Sequence, residues 1–256
     1  MDIRSDYTIN SEDARHNNPL LPKDIRMLLV GKSNCGKTTV LINLLLRRGW
    51  IDYNVMYVFG NSLHQLVYKI LKKGYESGLS KEQISNLFSN QKELKKNKLT
   101  PLSAIEEYTK QHGIQSIKIK THFYSSCDAI PDPASLNETD KNLMIFDDCF
   151  LERQNKAESY YTRGRHNNCD CIYITQNYFR LPRGTIRENA NFIILFPQDI
   201  KNLTHIYSDH CSFDMDLDEF KEFCHRVWDG GTTIGEEGEQ EEGAHNFVTI
   251  DLTSTK

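Results

Sequence analysis

The chain has 256 residues and a mass of 29.7 kDa, enough for one large domain or two small ones. With 38% hydrophobic and 10% aromatic residues it can bury a sizeable core, which excludes a wholly disordered protein. The net charge of −4 conceals an asymmetry: residues 229–255 hold seven acids and no Lys or Arg, while 65–120 hold 11 Lys and five Glu. Such a distribution permits a polyanionic partner without demanding one.

Residues 1–24 are polar, with Asn17-Asn18-Pro19 and Pro22, and read as an arm. Arg26–Val30 fits a short buried strand leading into Gly31–Thr38. Lys37–Arg48 then reads as a helix, because Val40, Leu41, Leu44 and Leu45 recur at helical spacing and Gly49 follows. Val55–Phe59 is a second strand, closed by Gly60-Asn61. Residues 62–113 read as a helical insert with a basic outer face. Leu63, Leu66, Val67, Ile70 and Leu71 make its first stripe. Ser80 with Gln83 is a capping box for a helix carrying Ile84, Leu87 and Phe88, and Thr100-Pro101 opens a helix that stops at Gly113. Ile117–Tyr124 alternates like a strand. Leu143–Phe146 is a buried strand ending in Asp147-Asp148, Ala157–Gly164 a helix, and Cys171–Thr175 and Phe192–Phe196 two more strands. A last amphipathic helix, started by Asp216 and Glu219, carries Leu217, Phe220, Phe223, Cys224, Val227 and Trp228. Beyond it Gly230–Gly243 has a disordered composition, and Phe247–Leu252 could add an edge strand. Strands alternating with helices predict one α/β domain with a mostly parallel sheet over 25–228, between the arm and a flexible acidic tail at 229–256.

Gly31-Lys32-Ser33-Asn34-Cys35-Gly36-Lys37-Thr38 matches G-x-x-x-x-G-K-[ST] in full, with a strand before it and a helix after. The glycines let successive N–H groups face the phosphates of ATP, Lys37 reaches the β and γ phosphates, and Thr38 offers a hydroxyl to Mg2+. Thr39, in the first helical turn, completes the nucleotide-binding set. Cys35 reads as a small residue, with a redox switch as the rarer alternative. Asp147-Asp148 ends an apolar strand, where ligands bind in open α/β sheets. Asp147 is expected in the Mg2+ shell and Asp148 as the base for the attacking water. The two motifs lie 110 residues apart, room for an interposed strand as in RecA-like ATPases.

GKSNCGKT (31–38), LMIFDDC (143–149), TRGRH (162–166), YITQNYFRLP (173–182) and TIRENANFIILF (185–196) together resemble the genome-packaging ATPases of double-stranded DNA viruses. The similarity is to the poxvirus and Polinton/virophage type, within the FtsK–HerA class, and covers about residues 25–197. It implies an ATP-driven homo-oligomeric ring of five or six subunits that translocates duplex DNA of any sequence into a preformed capsid. By position it assigns Lys37 and Thr38 to the nucleotide, Asp147 to the metal, Asp148 to the base, and Gln176 to a polar sensor beside the Asp147 strand. Many relatives of the wider class carry Glu where this chain has Asp148.

Multimeric ATPases supply a cation to the transferring phosphoryl, often from the next subunit. Arg163, Arg165 and Arg187 are the candidates here, the last two within family motifs, with Arg180 and Arg183 weaker. The lysines of 65–120 fit either DNA backbone contact or a solvated helix face. His166 with Cys169 and Cys171, and His210-Cys211 with Cys224-His225, lack the paired spacing of zinc sites and read as buried thiols. Seven cysteines without disulfide spacing, and Asp2, Arg4 and Asp6 where a leader's apolar core would lie, predict a reducing intracellular setting. With the resemblance, that means a viral assembly site in host cytoplasm or nucleus, or the virion, with a capsid or vertex protein as partner. Apolar runs of four or five residues predict no membrane span. Two other readings remain: a P-loop nucleotide or small-molecule kinase, and a non-catalytic ATP-binding assembly protein.

Overall fold

The structure, a computed structural model, describes residues 15–149, 151–230 and 246–253. Its strands are β1 (Arg26–Val30), β2 (Val55–Gly60), β3 (Lys120–Tyr124), β4 (Asn142–Asp147), β5 (Cys169–Thr175), β6 (Phe192–Leu195) and β7 (Val248–Asp251). All seven join one sheet in the order β3-β2-β4-β5-β1-β6-β7. Every neighbouring pair is parallel except β6 with β7, so the predicted mostly parallel α/β sheet is found.

The central strands are nearly continuous apolar runs because both faces of the sheet are covered. Successive side chains point to opposite faces, and each set meets its own layer of helices. Met27, Leu29, Ile145 and Ile172 pack with α1 (Lys37–Leu46), α2 (Leu66–Glu76), α3 (Lys81–Ser89) and α5 (Pro101–His112), beyond the short α4 (Gln91–Lys96). Leu28, Val30, Phe146, Tyr173 and Ile193 pack with α6 (Asn155–Arg163), α7 (Ile200–Ile206) and α8 (Leu217–Trp228).

The caps at Ser80, Thr100 and Asp216 form as expected, each with the reciprocal capping box. Other details differ. The insert holds four helices rather than three, β3 begins at Lys120 rather than at 117, and α7, capped by Asp199 with Leu203 and Ile206 buried, is an additional helix. On α8, Phe220 and Cys224 are buried but Phe223, on the flank of that stripe, is 45% exposed. The disordered composition at 231–243 lies outside the described residues.

From Arg15 onward the arm is pinned across the amino-terminal ends of the strands. The buried Arg15 guanidinium meets Asp170 at 2.9 Å and donates to the carbonyls of Asp52, Asn142 and Asn168. Asp170 also accepts from the Ile25 N–H at 2.7 Å and from Asn17 at 3.1 Å, bonds that offset the cost of burying the pair, although Arg15 Nε is left without a partner.

Candidate nucleotide site

Gly31–Thr38 joins β1 to α1 at the carboxyl edge of the sheet. Gly36 has φ 96°, a left-handed turn that glycine adopts without strain and that aims the first N–H groups of α1 into the loop. Gly31 is needed for a different reason. A Cβ there would lie 2.4 Å from Cys35 Sγ and 2.7 Å from Phe196 Cβ. Lys37 is buried, and its Nζ donates to the carbonyls of Gly31 and Lys32 at 2.6 Å each. A cleft of about 350 Å³ gathers Ser33, Asn34, Gly36, Lys37, Thr38 and Thr39 with Asp147, Asp148 and Gln176. Gly31 is buried behind the loop, Lys32 is exposed on it, and Cys35 packs partly against the core.

Asp147 continues the phase of Leu143 and Ile145, so it points to the α1/α2 face where the loop lies. Its Oδ2 accepts from the Tyr68 hydroxyl at 2.5 Å. Burial raises the Asp147 pKa above the usual carboxylate range; the neighbouring Asp148 raises it further, while Tyr68 and Lys37 favour the ionised form. Burial, with Asp147 beside it, drives the Tyr68 hydroxyl far upward, so that it remains a donor. Asp148 leaves the strand at φ 49° with its N–H on the Ile174 carbonyl. Gln176 donates to Asp148 Oδ2 at 2.6 Å, and Asp148 Oδ1 is buried with no partner. Because β5 lies between β1 and β4, Gln176 emerges between the loop and the acidic pair. Thr38 and Asp147 present a hydroxyl and a carboxylate to one cleft, the hard oxygen donors that Mg2+ takes, so these residues fit the ion.

None of the three candidate arginines lines this cleft. Arg163 and Arg165 are exposed, just before β5. The seven residues of β5 separate them from the cleft by roughly 23 Å at about 3.3 Å per residue. Arg187 is buried instead, 2.9 Å from Asp209 and 5.1 Å from the centre of the Tyr178 ring. Its Nη1 and Nε have no aligned acceptor, so the contact is charge pairing rather than a hydrogen bond. Arg183 lies on the surface near Glu188 and Asp209.

The sequence pattern did not single out Ser62 and Gln65, which line the cleft on the segment leading into α2, nor Tyr68, which is buried behind Asp147. Tyr68 had a signal, since with Leu71 and Tyr75 it forms an i, i+3, i+7 buried face. A wider cleft of about 450 Å³ lies at the opposite edge among Arg48, Lys81, Lys118, Lys141, Asp52 and Glu82, away from the loop. Cys169, Cys171, Cys211 and Cys224 are buried in the α6–α8 layer. Among the described residues no three His, Cys, Asp or Glu side chains cluster to hold a metal, and no helix is long and apolar enough to cross a membrane.

The poxvirus A32 protein family model matches residues 12–212, about four-fifths of the chain. The chain belongs to that family. Membership of the A32 family of packaging ATPases makes it a P-loop ATPase, in keeping with the loop and acidic pair described above. Similar solved structures include the genome packaging NTPase B204 from Sulfolobus turreted icosahedral virus 2. In complex with ATP-gammaS it is 13% identical with a TM-score of 0.45, over 90% of this A32-family chain and 93% of B204. In complex with sulfate it is 13% identical with a TM-score of 0.47, over 90% and 92%. VirB4 of Thermoanaerobacter pseudethanolicus is 10% identical with a TM-score of 0.40, over 80% and 83%. No curated protein sequence matches the chain.

Proposed function

We propose that the chain hydrolyses ATP in the cleft between the phosphate loop and Asp147-Asp148, and that hydrolysis drives duplex DNA into a preformed capsid. The observation that carries this reading is the Gln176–Asp148 hydrogen bond at 2.6 Å, beside an unpartnered carboxylate oxygen of Asp148. Oδ1 is shielded in this arrangement, so Asp148 takes the proton of an attacking water on Oδ2 once the Gln176 amide leaves it to follow the phosphate. Lys37 and the loop N–H groups bind the phosphates, and Thr38 and Asp147 hold Mg2+, which supplies charge neutralisation when bound.

Arg163 and Arg165 are exposed on a different edge from their own cleft, which suits supply of a cation to the next subunit of a closed ring of five or six. Exposed Lys69, Lys72 and Lys73 on α2, with Lys110, Lys118 and Lys120, provide charge for a DNA backbone without base readout. A capsid or vertex protein at the viral assembly site completes the machine.

The test is the ATP hydrolysis rate with and without linear duplex DNA, with Lys37→Ala as the blank. A rate that rises with DNA of any sequence and disappears in the variant supports the motor. Turnover indifferent to DNA refutes the coupling and points to a kinase. ATP binding without turnover points to an assembly role.

A further inference from the structure

Tyr68 belongs to the insert, yet its hydroxyl reaches the acid at the end of β4. It is 1% exposed and sits in the first turn of α2, three residues after Gln65, which itself lines the cleft. Tyr68 holds one Asp147 oxygen at 2.5 Å, and Asp147 itself lines the cleft. The hydroxyl therefore selects which carboxylate oxygen is presented. The solvent-facing arc of the same helix is charged: Lys69, Lys72 and Lys73 are exposed, Lys72 one turn on from Tyr68, with its Nζ 5.9 Å from the centre of the Phe123 ring. A single helix of 11 residues thus carries three cations on its outer face and a hydrogen bond to the nucleotide cleft on its inner face.

We propose that Tyr68 is a positioning residue for the metal acid and the link through which α2 couples DNA contact to the nucleotide cleft. The coupling half rests on the DNA-motor reading; the positioning half does not. A backbone phosphate drawn to Lys69, Lys72 and Lys73 displaces α2, and the displacement reaches Asp147 because the helix is stiff and the hydroxyl is its contact with that acid. The partner outer contact of a metal ligand fixes its orientation, and losing such a contact weakens metal affinity by about ten- to a hundredfold. Linkage makes the effect reciprocal: whatever factor DNA applies to metal–nucleotide affinity, metal–nucleotide applies to DNA affinity.

The variant is Tyr68→Phe, which keeps the buried ring and deletes the hydroxyl. Mn2+ is titrated by electron paramagnetic resonance into the full chain with a non-hydrolysable ATP analogue, with and without linear duplex DNA. Duplex affinity is measured by fluorescence anisotropy with and without Mn2+ and the analogue. Without DNA, the variant is expected to bind Mn2+ about tenfold more weakly. The wild-type coupling factor, on the order of fivefold or more, is expected to fall to near one in the variant. A variant whose DNA-free Mn2+ affinity stays within about twofold of wild type overturns the positioning role. One that keeps the wild-type coupling factor overturns the link. A wild-type chain that binds no duplex overturns the motor reading and the link together, and the DNA-free titration then decides the positioning role alone.

Discussion

Replacing Arg187 with methionine is expected to weaken the fold rather than the chemistry. Arg187 and Asp209 pair at 2.9 Å with side chains that are each 7% exposed, so removing the guanidinium leaves a buried carboxylate without its main counter-charge. Two contacts survive: the Tyr178 hydroxyl at 2.8 Å, and Arg183 at 3.5 Å. Arg183 is 66% exposed, and a solvated cation of that kind contributes little. Breaking one side of a buried pair costs about 3–5 kcal/mol, and in a chain of this size each kcal/mol lowers Tm by about 2–4 °C. A fall of roughly 10 °C follows. The double variant Arg187→Met with Asp209→Asn removes both charges and is expected to recover much of that loss, giving a coupling energy of about 1–3 kcal/mol in a double-mutant cycle. Thermal unfolding measures both, and ATP turnover well below the transition is expected to stay within about threefold of wild type. An unchanged Tm with turnover reduced a hundredfold would refute the reasoning and place Arg187 at the transferring phosphoryl of a neighbouring subunit.

Gly31→Ala forces a methyl to within 2.4 Å of Cys35 Sγ and 2.7 Å of Phe196 Cβ, so the loop must shift. Nucleotide affinity is expected to drop at least tenfold with about 1–3 kcal/mol of lost stability; calorimetric binding of an ATP analogue at wild-type affinity would contradict it. Asp148→Asn tolerates the φ of 49° and still reaches Gln176, but it cannot accept a proton. It is expected to retain nucleotide binding while turnover falls about 10²–10⁴-fold, and equal turnover would remove Asp148 from the base role. Burial pushes the Lys81 ammonium down to about 8, whereas the unfolded lysine holds its proton to about 10.5. The unfolded state then binds more protons above pH 8, so stability rises with pH across that window. Buried thiols such as Cys149 and Cys224, pushed up to about 12, act in the opposite sense in both proteins, so the lysine is read from the difference: between pH 8 and 9.5 the urea midpoint of wild type is expected to gain relative to that of Lys81→Met, and equal slopes would count against it.

The features legible in the sequence follow from rules that act over a few residues. The phosphate loop needs glycines at fixed offsets, Ser80, Thr100 and Asp216 cap helices through bonds three residues away, and Asp147 ends an apolar run of strand length. The features that escaped depend on contacts no local pattern encodes. Arg15 meets Asp170 across 155 positions, and Tyr68 meets Asp147 across 79. Arg187 shows the converse difficulty. Its sequence context suggested a cation for phosphate chemistry, yet the same residue type is also used to neutralise a buried acid, and only its surroundings tell the two apart.

The sheet order explains why the insert touches the cleft at all. β2 lies directly beside β4, with Gly60 paired to Asp147, so any chain leaving β2 departs at the carboxyl edge next to the acidic pair. A helix that begins there and covers the α1 face must lay its first turn over the end of β4, because odd-numbered side chains of β4 point to that face. Of the later helices, α3 and α5 pack on α2 through Ile84 and Ile105, whereas the short α4 contributes none of its described residues to that core, and β3 rejoins the sheet on the far side of β2. The 110 residues between Lys37 and Asp147 therefore measure the insert and not the site. What the site constrains is the first turn of α2, where Gln65 and Tyr68 stand, and a substitution there is expected to reach the nucleotide while one on α4 is not.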